Sequence, residues 1–350
     1  MFPAIYCSDK LESLGIAMWQ LPKPRLPSLK QVLVSSVGGG IGVLGIVLAV
    51  GLYIVETVIR PNKKHVFFDD YTFSPYEFDL PAEVVTFAPA KGDYLVSGWF
   101  VPHENATTTI LVCPGYRTHK SDLLGLSARL WRAGHNVLIF DFYGHGELSS
   151  TNVTLGYREM NDFDGAIAYV KERAPQTRLG VVAYSMGASV AIMCSARCPD
   201  IKAIVADSGF ATHWSVIDYN VRRARLWPST AFVWTADHMM GWLGGYRFSQ
   251  VNPLREIGSI APRPILIIHG GKDSLVDPRD ATLLYAAANE PKELWTVPNA
   301  DHCGVYFVDR TAYIEKTLDF FDKALKQAPW PLIEVGDEVG ANHAHDVSAA

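Results

Sequence analysis

The sequence lacks the short motifs by which cofactor-dependent and metal-dependent enzymes hold their reactive groups. Its 350 residues contain no H-E-x-x-H pair, no G-x-x-x-x-G-K-[ST] phosphate loop, and no dinucleotide fingerprint set between a strand and a helix. Each of these motifs places ligating or phosphate-binding groups at a fixed spacing, so that their absence argues against the corresponding chemistry. We therefore expect an enzyme or binding protein that needs neither a cofactor nor a metal ion.

Cysteine and charge are also sparse. The five cysteines form no metal-binding spacing, and Cys194 and Cys198 are four residues apart, which suits one buried helix face. Charged residues make up 19% of the chain, below the usual quarter, and the net charge is −5. A mildly acidic chain has no electrostatic footprint for nucleic acid, so we expect no nucleic-acid partner.

One long hydrophobic run is present near the N-terminus. The run from Val32 to Val58 carries no charge before Glu56 and would form a helix of about 40 Å, enough to span a bilayer. We predict a single-pass membrane helix at 32–59, after an N-terminal tail (1–31) and before a linker (60–82); a cleavable signal peptide is the alternative. Basic residues flank the run almost equally, which leaves the side of the catalytic domain open.

The most informative segment surrounds Ser185. An apolar run from Leu179 to Ala183 ends at this serine, and a helix-like segment from Met186 to Arg197 follows immediately. A sharp strand-to-helix turn around a serine is the nucleophile elbow, in which small neighbours such as Ala183 and Gly187 allow strand and helix to approach closely. The helix N-terminus also favours developing negative charge.

A serine nucleophile needs a histidine base and an acid that orients it, and in this arrangement the order along the chain is serine, acid, histidine. Asp273 follows the predicted strand 264–269, and His302 lies on a loop after the predicted strand 293–297. Both lie at strand carboxyl ends, where open parallel sheets bind ligands. We predict the triad Ser185, Asp273 and His302, with Asp207, after the strand 203–206, as the rival acid.

Acyl transfer further requires N–H donors for the oxyanion. One donor is the residue after the nucleophile, here Met186, and the other comes from the loop after an earlier strand. That strand is Thr108 to Val112, and Gly115 in the following turn makes the N–H of Tyr116 our second candidate. The Tyr116 ring is expected to form a pocket wall. The charged residues after it could bind a charged substrate group, but we expect them to form a solvated loop: they are Arg117, His119 and Lys120.

Several segments together resemble the α/β-hydrolase superfamily. They are Cys113-Pro114-Gly115-Tyr116, Asp141-Phe142-Tyr143-Gly144-His145-Gly146, Ala183-Tyr184-Ser185-Met186-Gly187, Gly271-Lys272-Asp273 and Asp301-His302. The resemblance covers about 84–325 and is strongest to a membrane-anchored branch related to monoacylglycerol lipases, acyl-protein thioesterases and serine-aminopeptidase-like hydrolases. It implies the fold, a Ser-His-Asp triad and an acyl-enzyme, but not the substrate. The sequence departs from the family pattern at Ala183, which replaces the usual first glycine.

Strands and helices alternate along most of the chain, which predicts an α/β fold with a mostly parallel sheet covered by helices on both faces. The predicted hydrolase domain covers 83–328 and is followed by a disordered tail (329–350). The alternation breaks between Gly209 and Glu256, a connection rich in tryptophan and tyrosine that is far too long for an ordinary loop. We interpret 209–256 as a helical cap over the active site.

These features together predict a membrane-anchored serine hydrolase that acts on carboxylic esters or thioesters with an acyl or lipid-like group. A serine peptidase or amidase would use the same triad. A non-catalytic α/β-hydrolase-like binding module is the second class, against which the complete set of three catalytic groups argues. A dehalogenase would need a carboxylate where Ser185 stands.

Overall fold

The computed structural model describes residues 39–60, 73–145 and 153–326. The predicted tails (1–31 and 329–350), the first residues of the predicted membrane helix (32–38) and most of the predicted linker (60–82) lie outside the described residues. A single eight-stranded sheet organises the described part of the chain. Its strands are β1 Glu83–Phe87, β2 Val96–Val101, β3 Thr108–Cys113, β4 Asn136–Phe140, β5 Arg178–Tyr184, β6 Ile201–Asp207, β7 Ile265–Gly270 and β8 Lys292–Val297.

The strand order in the sheet is β1-β2-β4-β3-β5-β6-β7-β8. The first two pairs, β1 with β2 and β2 with β4, are antiparallel, and the remaining pairs are parallel. From β3 the chain moves to β4 on one side, and then returns to β5 on the other side. The carboxyl ends of β3 and β5 therefore flank a topological switch point, where open α/β sheets bind ligands.

Helices cover both faces of the sheet, as the alternating sequence predicted. They are α1 Gly39–Ile59, α2 Leu124–Arg132, α3 Glu159–Arg173, α4 Met186–Arg197, α5 His213–Arg223, α6 Ser229–Leu243, α7 Arg279–Ala287 and α8 Arg310–Phe321, with short helical turns between some of them. Apolar side chains of α2 and α8 pack on one face, and those of α3, α4 and α7 pack on the other. The two faces receive alternate residues of each strand: Val181 and Ala183 of β5 face one core, and Val182 and Tyr184 face the other.

Helix α1 is long and apolar enough to cross a membrane over Gly42–Ile59, with a mean hydropathy of 2.3. By length and composition alone it could equally be a signal sequence. Its last turns do not stand apart from the domain, because Val55, Val58 and Ile59 are buried in the main core. The Ile59 carbonyl also accepts a hydrogen bond from the Val153 N–H at 3.0 Å.

The insertion between β6 and β7 contains the helices α5 and α6. Thr212 caps α5, since its hydroxyl accepts the Ser215 N–H at 2.9 Å. Helix α6 packs against both α5 and α1. The predicted cap region thus combines its two helices with the end of the N-terminal apolar helix.

Candidate active site

Ser185 occupies a strained turn between β5 and α4. Its backbone has φ 53° and ψ −120°, a conformation that costs a non-glycine residue roughly 1–3 kcal/mol. The Ser185 N–H donates to the Asp207 carbonyl at 2.7 Å, which ties the turn to the end of β6. Because the strand stops and the helix starts at one residue, the side chain projects beyond the sheet edge.

Small residues make this turn possible. A Cβ placed on Gly187 would lie 2.3 Å from the Pro114 carbonyl oxygen, and one on Gly115 would lie 3.0 Å from the Ser185 Cβ. Ala183 is paired with Cys113 of β3 and Ala206 of β6, and it is fully buried. The alanine that replaces the usual glycine therefore fits between the neighbouring strands.

The structure brings Ser185, His302 and Asp273 together. His302 Nε2 lies 2.8 Å from Ser185 Oγ, and His302 Nδ1 donates to Asp273 Oδ2 at 2.7 Å. Asp273 and His302 are buried, whereas Ser185 is half-buried. An imidazole held in this way can accept the serine proton while the carboxylate stabilises the resulting positive charge.

Backbone groups hold the loops that carry the acid and the base. The second carboxylate oxygen of Asp273 accepts the N–H groups of Leu275 and Val276 at 2.9 and 2.8 Å. Asp301 links the two loops, since its Oδ1 accepts the N–H groups of Ser274 and His302. The Asp273 carboxylate is therefore held in its orientation toward His302 by hydrogen bonds to both of its oxygens.

His269 is a residue that sequence reasoning missed. It lies near the end of β7, is fully buried, and places Nε2 3.1 Å from Asp273 Oδ2 without an aligned hydrogen bond. The sequence offered only one signal, namely a histidine at the end of an apolar strand four residues before the candidate acid. Its contact places a second imidazole against the same carboxylate oxygen that holds His302.

The pKa values reflect these contacts. Burial would raise the pKa of Asp273, but the imidazoles of His269 and His302 that lie against its carboxylate outweigh burial and lower the pKa. Burial opposes the charged form of His302, whereas Cys303 and the Asp273 carboxylate favour it, and the net effect is a raised pKa. The acid is thus ionised at neutral pH, and the base holds its proton more tightly than an ordinary histidine.

The two candidate oxyanion donors lie on either side of Ser185. Met186 begins α4, and Tyr116 follows the Gly115 turn that touches the Ser185 side chain. Among the described residues, neither of these two N–H groups has a protein acceptor. Both N–H groups therefore remain candidate donors to an oxyanion formed at Ser185.

The Tyr116 ring connects this loop to α1. It packs edge-on against the buried His145, and its hydroxyl lies 2.7 Å from the Thr57 carbonyl and 3.2 Å from the Val58 carbonyl. Both acceptors lie in the last turn of α1, where helix carbonyls have no intrahelical partner. Burial raises the pKa of the Tyr116 phenol, which keeps it a donor at all ordinary pH values.

Two other expectations can be compared with the structure. Asp207 accepts hydrogen bonds from the hydroxyls of Ser208 and Tyr313, both at 2.9 Å, whereas His302 Nδ1 is bonded to Asp273. The expectation of a solvated loop is wrong for Lys120, which is buried and bonds Asp141 through Nζ and backbone N–H at 2.5 and 2.6 Å. No group of three or more His, Cys, Asp or Glu side chains in the described ranges is arranged to hold a metal ion.

A profile described as the alpha/beta hydrolase family matches residues 110–315, more than half of the chain. The chain therefore belongs to the alpha/beta hydrolase family, and the predicted fold class is confirmed.

Individual relatives agree with this assignment. The uncharacterized protein YfhR of Salmonella typhi is 30% identical over 264 residues, which are 70% of this chain and 82% of the relative. Esterase Pf2001 of Pyrococcus furiosus superimposes with a TM-score of 0.61 at 22% identity, over 73% of this chain and 97% of the esterase. An acylaminoacyl peptidase of Pyrococcus horikoshii gives 0.54 at 16% identity, over 71% of this chain and 42% of the peptidase. At these identities the two solved structures show the shared fold, within which both esterases and peptidases occur.

Proposed function

We propose that the chain is a serine hydrolase that cleaves carboxylic esters or thioesters of apolar acyl groups. The observation that carries this proposal is the continuous set of contacts from Ser185 Oγ through His302 to Asp273, at 2.8 and 2.7 Å. A protein that only binds ligands has no need for a base within hydrogen-bond distance of a serine on a strained turn. The alpha/beta hydrolase family and its esterase neighbours agree with this chemistry.

The proposed reaction has two half-reactions. Ser185 Oγ attacks the acyl carbon while His302 Nε2 takes its proton, and the N–H groups of Tyr116 and Met186 stabilise the oxyanion. Collapse of the tetrahedral intermediate breaks the bond to the alcohol or thiol, which leaves with the proton from His302. Water then attacks the acyl-enzyme, with its proton taken by His302, and the acid product leaves as Ser185 regains its hydrogen.

The preference for an apolar acyl group rests on the cap and on α1. Trp214 and Met239 of the cap pack against the same apolar core as Ile54 and Val55 of α1. Apolar walls beside a catalytic serine favour burial of a hydrocarbon chain. We assign the chain to the membrane-anchored branch related to monoacylglycerol lipases and acyl-protein thioesterases, with α1 as a single-pass anchor.

A fluorophosphonate probe tests the proposed triad directly, because it phosphonylates only serines that a base has activated. The detergent-solubilised full chain should be labelled, and Ser185→Ala should abolish labelling. Ser189→Ala provides a matched control, since this serine lies one turn further along α4 and its hydroxyl bonds the Phe210 backbone. The control should retain labelling.

Substrate class is then tested with esters, thioesters and anilides of the same acyl chains. The proposal expects esters or thioesters of medium or long chains to be hydrolysed faster than the matched amides. Faster anilide hydrolysis would instead support a peptidase or amidase. A folded wild-type protein that reacts neither with the probe nor with any substrate would contradict the proposed function.

A further inference from the structure

Helix α1 has an exposed apolar stripe that ends abruptly. Leu44, Leu48 and Leu52 are exposed and follow one another at four-residue spacing, which places them on one helix face. The next two positions on this face are Glu56 and Arg60, which form an ion pair. The change from leucine to charge between Leu52 and Glu56 marks a level at which the surroundings of the helix change from apolar to aqueous.

Cap helix α6 carries a second exposed stripe. Trp234 and Trp242 are 57% and 92% exposed, and they are separated by two helical turns. His238 lies between them in sequence, and its ring contacts that of Trp234 at a tilt of 36°. Trp227, just before α6, is 88% exposed. Tryptophans placed in this way are costly in water and are enriched at the boundary between hydrocarbon and lipid headgroups.

The two stripes belong to helices that touch each other. A Cβ on Gly51 of α1 would lie 2.7 Å from the Thr235 side chain and 3.2 Å from the Met239 sulfur of α6. Thr235 directly follows the exposed Trp234, and Met239 directly follows the half-exposed His238. The tryptophan face of α6 is therefore next to the face that packs on α1 at Gly51.

The turn between α5 and α6 adds positive charge. Arg223 and Arg225 are exposed in this turn, and Leu226 and Trp227 follow them. Arginine beside exposed tryptophan suits a surface that is anionic at headgroup level and apolar beneath it. A soluble protein partner would not require the leucine stripe of a helix that is apolar enough to span a bilayer.

From these observations we infer that the cap rests on an anionic lipid bilayer, through a docking surface formed by the exposed residues Trp227, Trp234, Trp242, Leu243, Arg223 and Arg225. This inference rests on the proposed role of α1 as a membrane anchor, and it adds that the cap contacts the same bilayer. The bilayer boundary would then fall between Leu52 and Glu56, where the exposed stripe of α1 changes from leucine to charge.

This arrangement fixes the height of the active site above the lipid. Val58, whose carbonyl lies near the Tyr116 hydroxyl, is six residues beyond Leu52, or about 9 Å along the helix. The oxyanion loop would therefore lie at headgroup level, within reach of an ester or thioester whose acyl chain stays in the bilayer. The surface thus selects substrates that reside in the membrane.

Quenching of tryptophan emission by lipids brominated near the headgroup tests this surface without requiring catalysis. The full chain is reconstituted into phosphatidylcholine and phosphatidylglycerol vesicles, with and without brominated chains. Replacing Trp234 and Trp242 by Phe should remove about half of the quenchable emission, since these residues lie at the depth of the bromine atoms. Trp295→Phe is the matched control, because this residue packs on Tyr313 within the domain, and its loss should leave the quenchable emission unchanged.

A second measurement separates docking from chemistry. Trp234→Ser with Trp242→Ser should lower hydrolysis of a vesicle-embedded ester at least severalfold while leaving hydrolysis of a soluble short ester intact. Tyr76→Ser, at an 86% exposed aromatic before β1, should change neither rate. Equal quenching in wild type and the Trp→Phe double variant would overturn the docking surface. The quenching result does not depend on fluorophosphonate labelling. Failed labelling would contradict the proposed hydrolase activity, not the docking surface.

Discussion

The Tyr116 hydroxyl donates a hydrogen bond to the Thr57 carbonyl at 2.7 Å, and so joins the last turn of α1 to the loop beside Ser185. The same residue supplies one of the proposed oxyanion donors through its backbone N–H. An N-terminal helix that sequence analysis treats only as an anchor is therefore bonded to the loop that would stabilise the transition state. Detaching the helix from this loop should affect catalysis as well as membrane attachment.

Tyr116→Phe tests this connection by removing only the hydroxyl. Loss of a neutral hydrogen bond costs about 1 kcal/mol, and we expect kcat for a soluble ester to fall severalfold with KM little changed. Steady-state kinetics of the detergent-solubilised protein provide the measurement. Tyr94→Phe serves as a control, since its hydroxyl bonds Asp162 away from the triad. Unchanged kcat in Tyr116→Phe would show that the helix end does not position the loop.

Much of the fold followed from patterns that are local in sequence. The run before Ser185 and the small-residue segment after it predicted β5 and α4, and the structure places α4 at Met186–Arg197 as expected. Parallel strands buried on both faces have a distinctive apolar composition, so their positions can be read without knowing their neighbours. Chain order alone then placed the candidate acid and base at neighbouring strand ends, where the structure brings them into contact.

Contacts between distant segments could not be predicted in this way. Lys120 looked like one of several solvated charges, because nothing near it in sequence shows that it meets Asp141 across the end of β4. The contact of His269 with Asp273 depends on how the loop after β7 folds back on the strand. The apolar pattern that identifies a strand does not predict the path of the loop after it. The depth at which α1 enters the domain likewise depends on packing against the cap.

The acid assignment predicts a large difference between two buried carboxylates. Asp273→Asn would leave the imidazole without its anionic partner, and comparable changes lower kcat about 10⁴-fold. Asp207→Asn should cost much less, because this side chain bonds Ser208 and Tyr313 rather than His302. Turnover of one soluble ester by both variants decides between them. A loss in Asp207→Asn equal to that in Asp273→Asn would show that the acid has been assigned wrongly.

The buried Asp207 carboxylate should also affect how the stability of the fold depends on pH. Burial raises the pKa of Asp207 to about 6, above the unfolded value of about 4. The folded state therefore binds this proton more tightly, and the stabilisation is present below about pH 4 and is lost as pH rises to about 6. Between these values the melting temperature of Asp207→Asn should depend less on pH than that of wild type. Thermal unfolding in detergent at several pH values provides the comparison; parallel curves would contradict the assigned shift.

Activity should also rise with pH as His302 loses its proton, which gives the pH profile an ascending limb. Its raised pKa means that the imidazole is protonated, and cannot accept the Ser185 proton, at pH values where an ordinary histidine is already neutral. We expect the fluorophosphonate labelling rate to increase until well above pH 6.5, the usual histidine value. In Asp273→Asn the limb should move to lower pH, because an anion that favours the charged imidazole is gone. A limb at or below pH 6.5 in wild type would contradict the raised pKa.

The buried pair of Lys120 and Asp141 should behave differently from a surface salt bridge. Both side chains are almost completely buried, so that removing Lys120 leaves the Asp141 carboxylate desolvated, with the His119 imidazole at 3.9 Å as a much weaker partner. Lys120→Met should therefore lower the free energy of unfolding by about 3–5 kcal/mol, whereas Lys120→Met with Asp141→Leu should recover most of that loss. Chemical denaturation of the solubilised chain measures both. Lys316→Met, which breaks the exposed pair with Glu293, should cost less than about 1 kcal/mol, and an equal loss in both lysine variants would refute the distinction.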